Sequence, residues 1–170
     1  MSTLRVDNIQ DQGGAERRGL KTYAIICDEK AHDANGGTFT QDAWQTRDLN
    51  TEISDPDGIV SIASNQFTLQ TGSYLIEWTA PGYKVDRHFT RLQNITDSTT
   101  EELGSVMYTR KADNIMNRSV GFARVTITAS KTFEIQHRCE LTEASFGFGV
   151  NTNVSGVNSR YTMVKILKEA

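Results

Sequence analysis

The sequence predicts an all-β fold, a sandwich or jelly roll, on three observations. Apolar residues recur at a spacing of two through short segments, which marks strands with one buried face. Turn-forming residues separate those segments at short intervals, as in all-β sandwiches and jelly rolls. No segment carries a convincing helical period; residues 99–103 would make one turn at most. The clearest segment runs from Phe67 to Leu92, where Phe67, Leu69, Tyr74, Ile76 and Trp78 keep the alternation on either side of Thr71-Gly72.

Taken in order, residues 2–10 alternate weakly through Leu4, Val6 and Ile9, and a polar, glycine-punctuated linker separates them from the rest. The reading is an anchoring arm and linker over 1–19, followed by a jelly-roll domain over 20–170. An isolated strand of this length does not stabilise itself, so the arm is expected to pair with its own domain or with a partner. Residues 20–28 are apolar enough for a buried strand, and 38–49 resume weak alternation through Phe39, Trp44 and Leu49. Asp55-Pro56-Asp57-Gly58 is a strong reverse-turn signal. Residues 59–62 lead into the central segment, read as two antiparallel strands joined at Thr71-Gly72-Ser73. Pro81-Gly82 is expected to end the second of them, and a third strand spans about 83–92.

Residues 94–104 read as an exposed polar loop and 105–110 as a strand. Residues 119–129 alternate through Val120, Phe122, Val125 and Ile127, with a phase change near Arg124 that predicts a bulge. Over 131–141 the pattern places Phe133, Ile135, His137 and Cys139 on one face, so His137 is expected to point inward. Residues 144–159 are rich in Gly, Asn and Ser and read as a long loop, a class that tends to carry function. Residues 161–167 close the chain, giving eight to ten strands in all.

A strand ending near Phe67 and Leu69, followed by Gly72-x-Tyr74, resembles the centre of the jelly-roll domains of the complement first component globular head and tumour necrosis factor family. The last strand, Tyr161 to Lys168, resembles that family's buried closing strand. Ser2 to Asp11 is similar to a short N-terminal segment of many bacteriophage virion proteins. Together these resemblances imply a trimeric protein of the virion surface.

Composition sets outer limits. With 170 residues the chain suits one domain with an arm, able to bury about two thirds of its unfolded surface without a metal or disulfide. Hydrophobic residues make up 37%, which fits a thin sandwich with polar outer faces. The net charge of −3 and the scattered Arg and Lys residues give no basic footprint, so no nucleic-acid partner is expected. No apolar stretch reaches the roughly 20 residues of a membrane helix, and Met1 is not followed by a signal-like segment. The expectation is no membrane partner and assembly in a host cytoplasm into the virion. Cys27 and Cys139 are expected to be free thiols, a single bridge between strands being the alternative.

Catalytic constellations are not found. His32, His88 and His137 have no metal-ligand spacing, and no nucleophile elbow or phosphate-binding loop occurs. The carboxylates Asp28, Glu29 and Asp33 with His32, and Asp55 and Asp57 with Glu52, are read as solvated turns rather than calcium sites. The expectation is therefore no enzyme, no cofactor and no metal; a carbohydrate-active enzyme would need a facing carboxylate pair that the sequence does not offer. Besides that enzyme, two functional readings remain. The favoured one is a trimeric capsid decoration protein, a cement or head-surface protein. Its arm (Leu4, Val6, Ile9) would bind a major capsid protein or a tail component by strand addition. The alternative is the receptor-binding tip of a tail fibre, gripping a host-surface glycan or protein with residues 94–104 and 144–159. Tyr23, Trp44, Trp78 and Tyr83 would be its stacking rings, though their strand positions favour core roles. Phe133, Ile135, Phe146, Phe148 and Tyr161 are the expected trimer interface.

Overall fold

The computed structural model describes residues 22–169, so Leu4, Val6, Ile9 and the whole 1–19 segment lie outside the described residues. Among the described residues the chain forms twelve strands and no helix: β1 (Tyr23–Lys30), β2 (Gln45–Thr46), β3 (Thr51–Ser54), β4 (Val60–Ala63), β5 (Gln66–Leu69), β6 (Gly72–Tyr83), β7 (Asp86–Asn94), β8 (Thr99–Leu103), β9 (Met107–Thr109), β10 (Met116–Ile127), β11 (Lys131–Cys139) and β12 (Ser159–Lys168). They make two antiparallel sheets. One has the order β10-β6-β12-β1-β3; the other runs β4-β5-β11-β7-β8, with β2 added to β11 and β9 to β7. The all-β jelly-roll sandwich read from the sequence is the observed fold.

The core lies where the inner faces meet. Ala24, Ile26, Tyr74, Ile76, Trp78, Val125, Val164 and Ile166 come from the five-stranded sheet, and Phe67, Leu69, Leu92, Phe133 and Ile135 from the other. The alternation of Phe67, Leu69, Tyr74, Ile76 and Trp78 thus marks buried positions correctly. Its strand pairing is different. β5 pairs with β4 and β11, β6 with β10 and β12, so Thr71-Gly72 carries the chain from one sheet to the other. Gly72 has φ +153°, and a Cβ there would meet the Lys168 and Tyr74 side chains. Burial periodicity is the same for a hairpin and for a corner between sheets, so it could not decide the pairing.

Three further expectations change. β6 runs on through Pro81-Gly82 because β12 pairs with it only as far as Thr79, leaving β10 as Pro81's one ladder partner. The polar stretch over 94–104 contains β8, an edge strand exposed at every position, whose polarity suits an unshared edge. The predicted bulge in β10 is absent: Met116 to Ile127 pairs without interruption with Tyr83 to Gly72. What looked like a phase change is a strand with apolar residues on both faces. Ser119, Gly121, Ala123, Val125 and Ile127 point inward, while Val120 and Phe122 point outward.

The inward residues of β10 are small at one end because Trp78 lies there. A Cβ on Gly121 would sit 2.0 Å from Trp78 Cζ2. The indole Nε1–H donates to Thr90 Oγ1 (2.8 Å), which is linked to Ser119 Oγ (2.8 Å), and that hydroxyl donates to the Ser105 carbonyl (2.8 Å). Gly121→Ala is expected to overpack this site and cost about 1–3 kcal/mol, read as a lowered urea midpoint at unchanged slope. An unchanged midpoint would show that the indole can move aside.

Candidate functional site

Two parts of the molecule carry features that folding alone does not call for. The first is the outward face of the five-stranded sheet. Phe122 is 65% exposed and Leu75 37% exposed. Beside them Ile25, Met163 and Leu167 are half-buried on the same face. Leu75, Phe122, Ala123 and Leu167, with Arg124 and Lys165 at the rim, line an apolar depression of about 300 Å³. A neighbouring depression of about 210 Å³ lies between Ile25, Thr79 and Met163. Thr79 Oγ1 has no hydrogen-bond partner among the described residues although it is shielded. Polar cover is limited: Glu77 and Lys165 pair across the face at 3.7 Å, and Arg124 pairs with Glu169 at 2.7 Å.

The free edge of this sheet is apolar as well. Along β10 Ser105 donates its N–H to the Val120 carbonyl (2.7 Å), and beside it Leu103, the last residue of β8 in the other sheet, and Val106 are exposed. Exposed apolar residues scattered singly are ordinary; a face and an adjoining edge that share them are a candidate association surface.

The second part is the sandwich end where residues 143–151 cross residues 36–39. Arg47, 1% exposed, spans the two sheets. Its Nε donates to Thr162 Oγ1 (2.8 Å), its amino groups to the carbonyls of Pro81 (3.3 Å) and Phe148 (2.9 Å), and its guanidinium lies 4.0 Å from the Phe148 ring centroid. Burial pushes its pKa down to about 9, offset by attraction to Asp28 and Asp48, so the group stays charged at neutral pH. None of its hydrogen-bond acceptors is a carboxylate. Next to it His88 Nδ1 and His137 Nε2 are 2.9 Å apart, both rings buried. Burial and the Arg47 charge push both histidines down, His88 to about 4, which keeps the pair neutral. The inward placement of His137 was legible from alternation. Arg47, within a polar stretch, gave no signal of burial.

The interface residues expected from sequence are placed mostly elsewhere. Phe133, Ile135 and Tyr161 are buried inside their own sandwich. Phe148 is half-buried on Arg47 and Phe39, and only Phe146 is exposed. Alternation identifies a buried face but cannot tell a core from an interface, and here the core took the largest inward residues. Trp78 is likewise core. Trp44 packs edge-on against Phe89 (5.1 Å) beneath the Arg91 guanidinium (4.2 Å), and Tyr83 donates its hydroxyl proton to Asn114 (3.0 Å). Of the acidic groups, Asp55 accepts the N–H groups of Ile59 and Val60, both at 2.9 Å, and buried Asp28 pairs with Lys30 at 3.2 Å. Cys27 and Cys139 are separate, buried thiols, the latter pushed up to about 12 by burial. Among the described residues no group of three or more potential metal ligands occurs, and no helix is long and apolar enough to cross a membrane.

Neither a protein-family model nor a curated protein sequence matches the chain. Solved structures match across nearly the whole fold. The globular domain of zebrafish complement 1qA aligns with 14% identity over 88% of this chain and 96% of its own, with a TM-score of 0.51. Eiger TNF from S. frugiperda aligns with 11% identity over 88% and 93%, with a TM-score of 0.54. PRD1 vertex protein P5 aligns with 11% identity over 89% and 100%, with a TM-score of 0.52. At such identities the likeness is one of fold, the jelly roll of the complement and tumour necrosis factor domains.

Replacing Arg47 tests its bridging role. Arg47→Met keeps the length but leaves the Thr162 hydroxyl and two carbonyls without their donors. The expected loss is about 2–4 kcal/mol in denaturant unfolding; no loss would mean that burying the cation cost as much as its bonds returned.

Proposed function

We propose that the protein is a trimeric component of a virion surface, a capsid decoration protein whose 1–19 arm anchors it to the shell. The observation that carries the trimer is the pairing of two unlike apolar surfaces on one protomer: the Leu75–Phe122–Leu167 face and the Leu103–Val106 edge beside it. Head-to-tail contact sets the edge of one protomer on the face of the next, and a closed ring satisfies both in every subunit. The interface therefore moves from the residues expected in the sequence to this face and edge.

Placement on a virion is supported by two likenesses. PRD1 vertex protein P5, a phage vertex protein, shares the fold, and residues 2–11 are similar to the N-terminal segment of phage virion proteins. The arm is short for a shaft and suited to strand addition, and a protein that binds only assembled shells stabilises them by mass action. This reading assigns no catalytic role; Asp55 is engaged in a turn and Asp28 in an ion pair.

Sedimentation equilibrium should give three copies per particle. Phe122→Asp should weaken each contact by about 2 kcal/mol or more while leaving the monomer folded, as a desolvated aromatic anchor would. An undiminished trimer would place the interface elsewhere. Deleting residues 2–14 should preserve the trimer and abolish cosedimentation with undecorated capsids. Binding to host cells but not to capsids would instead make the protein a receptor-binding tip.

A further inference from the structure

Residues 143–151 form a strap across the Arg47 end of the sandwich. Phe39 and Glu143 exchange backbone bonds (both 3.0 Å), Gly37 donates to Ser145 (3.1 Å), Phe148 to Gly37 (3.1 Å) and Gly36 to Gly149 (2.9 Å). The Phe148 ring lies nearly parallel to His137, at 10°. Beneath it the histidines share one hydrogen bond, and His88 Nε2 and His137 Nδ1 are buried without partners among the described residues. A Cβ on Gly82 would lie 2.8 Å from His88 Nε2, so β6 closes that side against water.

We propose that the strap is an acid-released clasp: for the His88–His137 pair to take up a proton, residues 143–151 must lift and admit solvent to the two partnerless nitrogens. A protonated ring would bring an N–H without an acceptor and a second positive charge beside Arg47. Among the described residues no carboxylate acts on the pair to offset that charge. On β11, Cys139 gives its thiol to the carbonyls of Thr40 and Leu141. β6 contributes Gly82, the strap Phe148, and the segment after β2 the Arg47 cation. The carboxylates of Asp28 and Asp48 act on Arg47 and not on the histidines.

Because the closed state holds the histidines below their ordinary pKa, closure is fully favoured above about pH 6.5 and is lost as pH falls towards 4. With His88 released to its ordinary value, the open population rises roughly thirtyfold between pH 8 and pH 5. Hydrogen exchange of the full chain, corrected for intrinsic pH dependence, should show that loss of protection at Gly36, Gly37 and Phe148 while β6 and β12 keep theirs. Equal loss in all segments, or none in the strap, would overturn the clasp. The variant H88N/H137N should keep the strap protected at pH 5. Nitrogen-15 titration of the unaltered protein supplies the second measurement: each imidazole should charge only as strap protection falls. Protonation under a still-protected strap would refute the proposal.

Discussion

The size of one indole governs much of this molecule. Trp78 fills the gap between the sheets and needs Thr90 to take its N–H. Opposite it, β10 can offer only Ser119, Gly121 and Ala123. A strand has two faces, so the bulk that β10 carries at this end must go outward, where Val120 and Phe122 stand. The apolar outer face is then not an accident of composition. Depth of packing inside the sandwich and stickiness outside it come from the same strand.

Much of the fold was legible because burial in a sandwich is written at period two. The buried set of β5, β6 and β11 could be read directly, as could the reverse turn at Asp55 to Gly58, whose Asp55 carboxylate takes two N–H groups. Pairing was not legible. The link at Gly72 has the signals of a hairpin, and only long-range packing shows that it turns a corner. β8 was missed for the opposite reason: an exposed edge strand of Thr and Glu has no apolar residue to alternate until Leu103.

The site was harder to read than the fold. In β10, two interleaved apolar sets, one inward and one outward, looked like one set with a slip. Nominating Phe133, Ile135 and Tyr161 for association followed from their size, and size is just what the protomer's own interior selects. Arg47 is the opposite case. Arginine is seldom buried without a carboxylate, and the acceptors that permit it come from Pro81, Phe148 and Thr162, far apart in sequence.

The bond from Gly36 to Gly149 has a chemical consequence besides its structural one. Asparagine followed by glycine loses ammonia when the glycine nitrogen attacks the asparagine side chain and closes a succinimide ring. At Asn35-Gly36 that nitrogen is committed to the Gly149 carbonyl, and the Asn35 side-chain oxygen accepts from Asn151 N at 3.2 Å. The crossing of the two segments therefore protects an otherwise short-lived dipeptide from ageing. Any molecule that spends long periods with these segments apart would carry a record of it, one unit of negative charge at position 35.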